Sequence, residues 1–182
     1  MKTIFTLIFI LISSFSFAEF FQDISRSIKN NQKRLSYGVS VTDFNKDGMF
    51  EFIVTGFKFP NLILSHKNGY LENINTNDLF ADQTRSTIGV AACDIDNDGF
   101  EELYFLNTDT YSGQKQFSDR LLDNNKNIID LFQLDKNLRS LNLTAGRSVV
   151  CVDRNGDGKY GIYVANYGGP TRFYELKKGS IV

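Results

Sequence analysis

The chain has 182 residues, with 20 basic against 21 acidic side chains and 42% hydrophobic content. That balance is expected of a soluble globular protein, and it gives no basic face for nucleic acid. The small cluster Lys29, Lys33 and Arg34 reads as solvated surface.

Residues 1–18 have the layout of a signal peptide: Lys2, an apolar run over 4–12, then Ser16-Phe17-Ala18 before Glu19. The uncharged stretch is too short to cross a bilayer comfortably, so export with cleavage is expected and no membrane span thereafter. Residues 19–35 read as a short strand over 20–24 and a polar linker.

The first of three repeating units occupies 36–78. A strand over 37–42 leads into the loop Asp43-Phe44-Asn45-Lys46-Asp47-Gly48, Glu51 takes the ninth loop position, and a second strand follows at 52–54. Gly56 and Pro60 turn the chain. A third strand over 61–65 and a fourth over 70–74 flank the hairpin turn Asn68-Gly69. The second unit, 88–135, repeats this order around Asp94, Asp96, Asp98, Gly99 and Glu102. It adds a polar insertion at 108–116, with outer strands predicted at 119–122 and 128–132. The third unit, 146–182, has strands at 147–152 and 162–165 around Asp153-Arg154-Asn155-Gly156-Asp157-Gly158, and a third at 172–176. It shows no clear outer strand.

Asp43 precedes Asp94 by 51 residues and Asp94 precedes Asp153 by 59; Pro60 and Pro170 each lie 17 residues after their loop's first Asp. A four-stranded unit recurring at this period predicts an all-β fold of propeller blades. Three blades fall short of the four to eight that close a propeller. An incomplete propeller is therefore expected, with the remaining blades missing from this chain or supplied by a partner.

The second loop carries the clearest chemistry. Three carboxylates within a few Å repel one another by ~1 kcal/mol or more per pair even when solvated, so the loop needs a cation at its centre. Calcium suits it, being hard and taking six to eight oxygens in a flexible shell. Asp94, Asp96, Asp98, the Phe100 carbonyl and Glu102 are the expected ligands, with Gly99 supplying the turn. An EF-hand begins with the same spacing but needs a bidentate Glu at position 12 and flanking helices. Position 12 here is Phe105, and the flanks Val90, Ala92 and Leu103 lack a helical period.

The runs YGVSVTDFNKDGMFEFIVTGF, PNLIL, IGVAACDIDNDGFEELYFLNTD and AGRSVVCVDRNGDGKYGIYVANY resemble the FG-GAP/VCBS repeats of integrin α-like propellers. More specifically, they resemble the N-terminal part of the cartilage acidic protein family. The resemblance implies a secreted, calcium-binding, non-enzymatic propeller that engages an extracellular protein or glycan. It also implies further ligand sets: Asp43, Asn45, Asp47, the Met49 carbonyl and Glu51 in the first loop, and Asp153, Asn155, Asp157 and the Lys159 carbonyl in the third. Gly161 stands where the third loop's closing acid is expected, and Arg154 and Lys159 weaken its field. The expected affinity order is second loop, first, then third.

Cys93 and Cys151 fall at opposite parity in equivalent strands. A disulfide between neighbouring sheets and a pair of buried thiols both remain open. His66 stands without companion ligands and reads as a surface residue. Asn142-Leu143-Thr144 is a glycosylation sequon. No nucleophile elbow or phosphate loop occurs. The second functional expectation is part of a calcium-dependent propeller enzyme acting on polysaccharide; ligands drawn from one hairpin favour closed structural sites and hence binding.

Overall fold

The computed structural model describes residues 21–182; the signal-peptide segment lies outside them. Strands β1 (Val39–Thr42), β2 (Glu51–Val54), β3 (Leu62–Lys67) and β4 (Tyr70–Asn73) form an antiparallel sheet in sequential order. Strands β5 (Thr87–Cys93), β6 (Glu102–Asn107), β7 (Arg120–Asp123) and β8 (Ile129–Asp130) form a second. The third is built from β9 (Gly146–Val152), β10 (Gly161–Asn166) and β11 (Arg172–Tyr174). The first strands lie innermost, with β5 packed against both β1 and β9. The fold is all-β, an incomplete propeller of three blades.

Hydrophobic spacing accounts for the order of the layers. Along β6 all six residues are buried. Leu103 and Phe105 join Ile53, Ile63, Val90, Leu122 and Phe80 in the core against the first sheet. Tyr104 and Leu106 join Leu121, Phe132, Ile162, Val164 and Tyr174 in the core against the third. A strand covered on both faces needs an unbroken apolar run, which Leu-Tyr-Phe-Leu provides. By contrast, β2 alternates, burying Glu51 and Ile53 while Phe52 is exposed.

The inner strands approach closely at glycines. A Cβ on Gly38 would lie 2.8 Å from Gly89 Cα, and one on Gly146 would lie 2.1 Å from Leu106 Cδ1. Gly38 and Gly146 are thus packing requirements, whereas a Cβ on Gly89 would meet nothing nearer than 3.4 Å.

Several details depart from the sequence expectations. Residues 21–24 form no strand and bury nothing; Phe21 and Ile24 are exposed. The chain instead reaches the first sheet at Ile28, in a parallel bridge with Leu71. The predicted strand over 172–176 breaks at Glu175. It resumes as β12 (Leu176–Lys177), which pairs with β13 (Ser180–Ile181). Glu175 and Val182 exchange backbone hydrogen bonds of 3.1 and 2.9 Å. The third sheet keeps three strands, as expected, and a tight hairpin at Lys178-Gly179, both at positive φ, forms a separate two-stranded sheet after it.

A one-turn helix, α1 (Asp78–Ala81), follows the first blade, its N-terminus capped by Asn77. It inserts Phe80 edge-on between Phe44 and Phe105, with ring centroids 5.5 and 5.2 Å away. The polar insertion is no free loop. Gly113 bonds to Tyr167 and Ala145, and Lys115 is fully buried, its ammonium donating to Asn107 O and Asp119. Cys93 and Cys151 are joined in a disulfide, Cα atoms 6.1 Å apart, linking the inner strands of the second and third blades.

Candidate metal centres

Each acidic loop joins the first two strands of its sheet, and all three share one backbone design. The first Asp accepts from the amides of the fifth and sixth loop residues. For Asp43 these are Asp47 N and Gly48 N, both at 3.1 Å. For Asp94 they are Asp98 N at 3.1 Å and Gly99 N at 2.9 Å. For Asp153 they are Asp157 N at 3.2 Å and Gly158 N at 2.9 Å. The fifth residue's carboxylate accepts from the amide two residues on, Met49, Phe100 or Lys159, at 2.8 to 3.0 Å. Two left-handed residues close each turn: Lys46 and Gly48, Asn97 and Gly99, Gly156 and Gly158.

The loops differ in charge. In the first and third, the amide of Asn45 or Asn155 donates to Asp47 or Asp157 at 2.9 and 3.0 Å, so a neutral group screens the carboxylate. The second has Asp96 there, and Asp94, Asp96 and Glu102 bring ligand oxygens within 4.8 Å of one another. It is the one acidic cluster of this kind among the described residues.

Glu102 is wholly buried. Its Oε2 accepts from Ile95 N at 2.8 Å, while Oε1 has no hydrogen-bond partner. A buried unsatisfied carboxylate oxygen costs several kcal/mol of desolvation, at the upper end of what proteins tolerate; a bound cation relieves it. An unpartnered carboxylate oxygen on a residue of this cluster fits a hard cation. Burial, followed by the charges of Asp96, Asp123 and Asp98, pushes the Glu102 carboxyl up to about 8, with Ile95 N opposing.

For the chelator-treated chain this has a definite sign. Glu102 holds its proton more tightly folded than unfolded, so its contribution to stability is complete below about pH 4.5 and is lost as pH rises toward 8. Melting temperature in chelator should therefore fall across that window, and Glu102→Gln should flatten the fall. An unchanged slope in the variant would show that Glu102 is not the group responsible.

Glu51 is the first-loop counterpart and is equally buried. Both of its oxygens are engaged, by Phe44 N and Ser65 Oγ at 3.0 Å each. In the third loop a Cβ on Gly161 would meet Phe173 Cζ at 2.7 Å and Tyr174 O at 2.9 Å, so no acid fits there. Arg154 instead pairs with Glu175, Nε to Oε1 2.6 Å.

Sequence reasoning missed the third strand's contribution of Ser65, Asp123 and Glu175 beside the ninth position. Ser65 and Glu175 stand at the same offset from Glu51 and Gly161, a signal the insertion hides for Asp123. It also missed the β7–β8 turn, where Asn125 Nδ2 donates to Asp98 at 2.5 Å and Asn124 Nδ2 to Phe44 O at 3.0 Å. That turn ties the first two loops together. His66 is exposed on β3, as expected of a surface residue. The sequon residue Asn142 is fully buried, donating to Asp119 at 2.6 Å and Asn166 at 3.0 Å.

Successive antiparallel blades with an acidic turn between their first two strands define a repeat of the FG-GAP-like class, and the profile of the FG-GAP-like repeat family matches residues 28–105. Across 81% of its length the chain is 44% identical to cartilage acidic protein 1 of Xenopus tropicalis, 42% to that of Mus musculus and 40% to that of Homo sapiens. Residues 28–105 thus carry an FG-GAP-like repeat, and the chain is a homologue of the cartilage acidic proteins. It spans 25% of the length of each of these relatives.

Proposed function

We propose that this chain is an exported, calcium-binding propeller segment that serves as an extracellular protein- or glycan-interaction module. The observation that carries the calcium reading is the buried, unpartnered Glu102 Oε1 within the Asp94, Asp96 and Glu102 cluster. Asp98 and the Phe100 carbonyl complete the second set, and oxygen-only donors of this number suit calcium. Asp43, Asn45, Asp47, the Met49 carbonyl and Glu51 form a first, weaker set. Asp153, Asn155, Asp157 and the Lys159 carbonyl form a third, the weakest for want of an acid at Gly161. Bound calcium would neutralise the loop carboxylates and fix the hairpin tips.

Export is supported by the disulfide, which belongs to an oxidising compartment. The name of the relatives, cartilage acidic protein, points to an extracellular matrix setting. No helix among the described residues is long and apolar enough to cross a membrane. The contact surface in this reading is a cleft at the end of the blades away from the loops, lined by Tyr37, Phe57, Ile88, Asp109, Tyr111 and Arg147. Tyr111 and Tyr167 flank the Arg147 guanidinium at 5.2 and 5.1 Å, an aromatic and cationic combination suited to acidic or sugar groups. Catalysis on polysaccharide is the weaker reading. Each metal set is drawn largely from one hairpin tip, and the cleft lies at the opposite end.

Calorimetric titration of Asp43→Ala, Asp94→Ala and Asp153→Ala variants tests the proposal. Asp94→Ala should remove the tightest step. At ~10⁻³ M calcium and a Kd of ~10⁻⁴ M, one site adds about 1.4 kcal/mol, or about 3–5 °C in melting temperature. Identical melting in chelator and calcium, or tightest binding at the third loop, would defeat it.

A further inference from the structure

In every blade the third strand runs opposite the closing position of the acidic loop. The pairs Phe52–Leu64, Leu103–Leu122 and Ile162–Tyr174 extend by one residue to set Glu51 opposite Ser65, Glu102 opposite Asp123, and Gly161 opposite Glu175. Directly opposed residues of an antiparallel pair share a face, their Cβ atoms about 4.5–5.5 Å apart.

The first two blades use this position in opposite ways. Ser65 Oγ donates to Glu51 Oε1 at 3.0 Å, satisfying the buried acid. In the second blade the hydroxyl is replaced by the Asp123 carboxylate, which has nothing to donate, and the corresponding oxygen, Glu102 Oε1, is left buried and unpartnered. Asp123 Oδ1 accepts from Asn125 N at 2.8 Å; its carboxylate lies just outside the set of Asp94, Asp96 and Glu102 oxygens within 4.8 Å of one another, and an ion bound there would draw its other oxygen in. Two opposed carboxylates are stable only with a cation or a shared proton between them, so an ion that binds here competes with the proton on Glu102.

We propose that Asp123 is a ligand of the second metal centre, supplied across the sheet from β7 rather than from the loop. Asp94, Asp96, Asp98, Glu102 and Asp123 then give that centre five carboxylates. The first loop offers three, Asp43, Asp47 and Glu51, beside neutral Asn45 and Ser65. The extra charge makes the second centre the tightest calcium site and gives it a further preference for trivalent ions of calcium's size. This inference rests on the reading that the second loop holds calcium.

The experiment is calorimetric titration of the full chain with calcium and, separately, with terbium(III), for the parent, Asp94→Ala, Asp123→Ser and Asp123→Asn. Asp123→Ser installs the residue the first blade carries at this place, and Asp123→Asn keeps the shape while removing the charge. Both should weaken the tightest calcium step by about tenfold and the terbium step by about a hundredfold, because charge count sets affinity in oxygen-ligand sites. The weaker steps should stay in place, and a parent-like circular dichroism spectrum would exclude misfolding. The reciprocal Ser65→Asp should tighten a weaker step. Binding that Asp94→Ala removes but both Asp123 variants leave within about twofold overturns the role of Asp123 alone. No heat from either ion in the parent chain overturns the calcium reading and this inference together.

Discussion

Replacing Asp119 by Ala should cost about 3–5 kcal/mol of stability, the usual consequence of breaking a buried ion pair from one side. Asp119 is completely enclosed between the second and third blades. Its Oδ1 accepts from Lys115 and from Asn107 N at 2.7 Å; its Oδ2 accepts from Tyr104 OH and Asn142 Nδ2, both at 2.6 Å. Removing the carboxylate strands a buried ammonium, a phenol and two amide donors at once. Lys115 has one remaining partner, Asn107 O at 2.8 Å, and no route to water, since its side chain is fully enclosed. Equilibrium urea unfolding measures the loss. The double variant Lys115→Met, Asp119→Leu removes both charges and should recover a large part of it. A cost below about 1 kcal/mol for the single change would mean that the ammonium finds solvent, contrary to its burial.

Reduction of the Cys93–Cys151 disulfide should cost about 4 kcal/mol. The bridge spans 58 residues, and releasing a loop of that length restores roughly this much chain entropy to the unfolded state. Its position adds a second effect. Cys93 is the last residue of β5 and precedes Asp94, so the bridge pins the entry to the second acidic loop against the third blade. Urea unfolding with and without a phosphine reductant should show the shift, and alkylation of the native chain should find no free thiol. Equal midpoints under both conditions would mean that the link adds nothing to stability.

The acidic loops and the strand pairs around them were legible because each is a local pattern. Asp, Asn and Gly at fixed offsets set the turn, and the flanking strands follow from β-branched and aromatic residues. The ninth position, singled out from its spacing, holds a buried glutamate in the first two loops, Glu51 and Glu102. What the sequence hid lay across the sheet. Asp123 stands beside Glu102 through register, and register depends on an insertion whose length gives no hint of its path. The same insertion carries Lys115, a residue type almost never buried, and nothing in a polar insertion marks it as enclosed. The small β12–β13 hairpin was missed because Ser180–Ile181 is too short to carry a periodic signal; it is a strand only by pairing. The disulfide stayed open for a related reason. Parity placed the two cysteines on opposite faces of equivalent strands, but only the packing of β5 beside β9 decides that those faces meet.

The enclosure of Asn142 bears on biosynthesis. Its side-chain amide is the atom a transferred oligosaccharide would occupy, and in the folded chain that atom is already committed to Asp119 and Asn166. Sugar attachment and closure of the seam between the last two blades are therefore mutually exclusive. A chain modified there during synthesis would be held open, whereas one that folds first presents no acceptor at all.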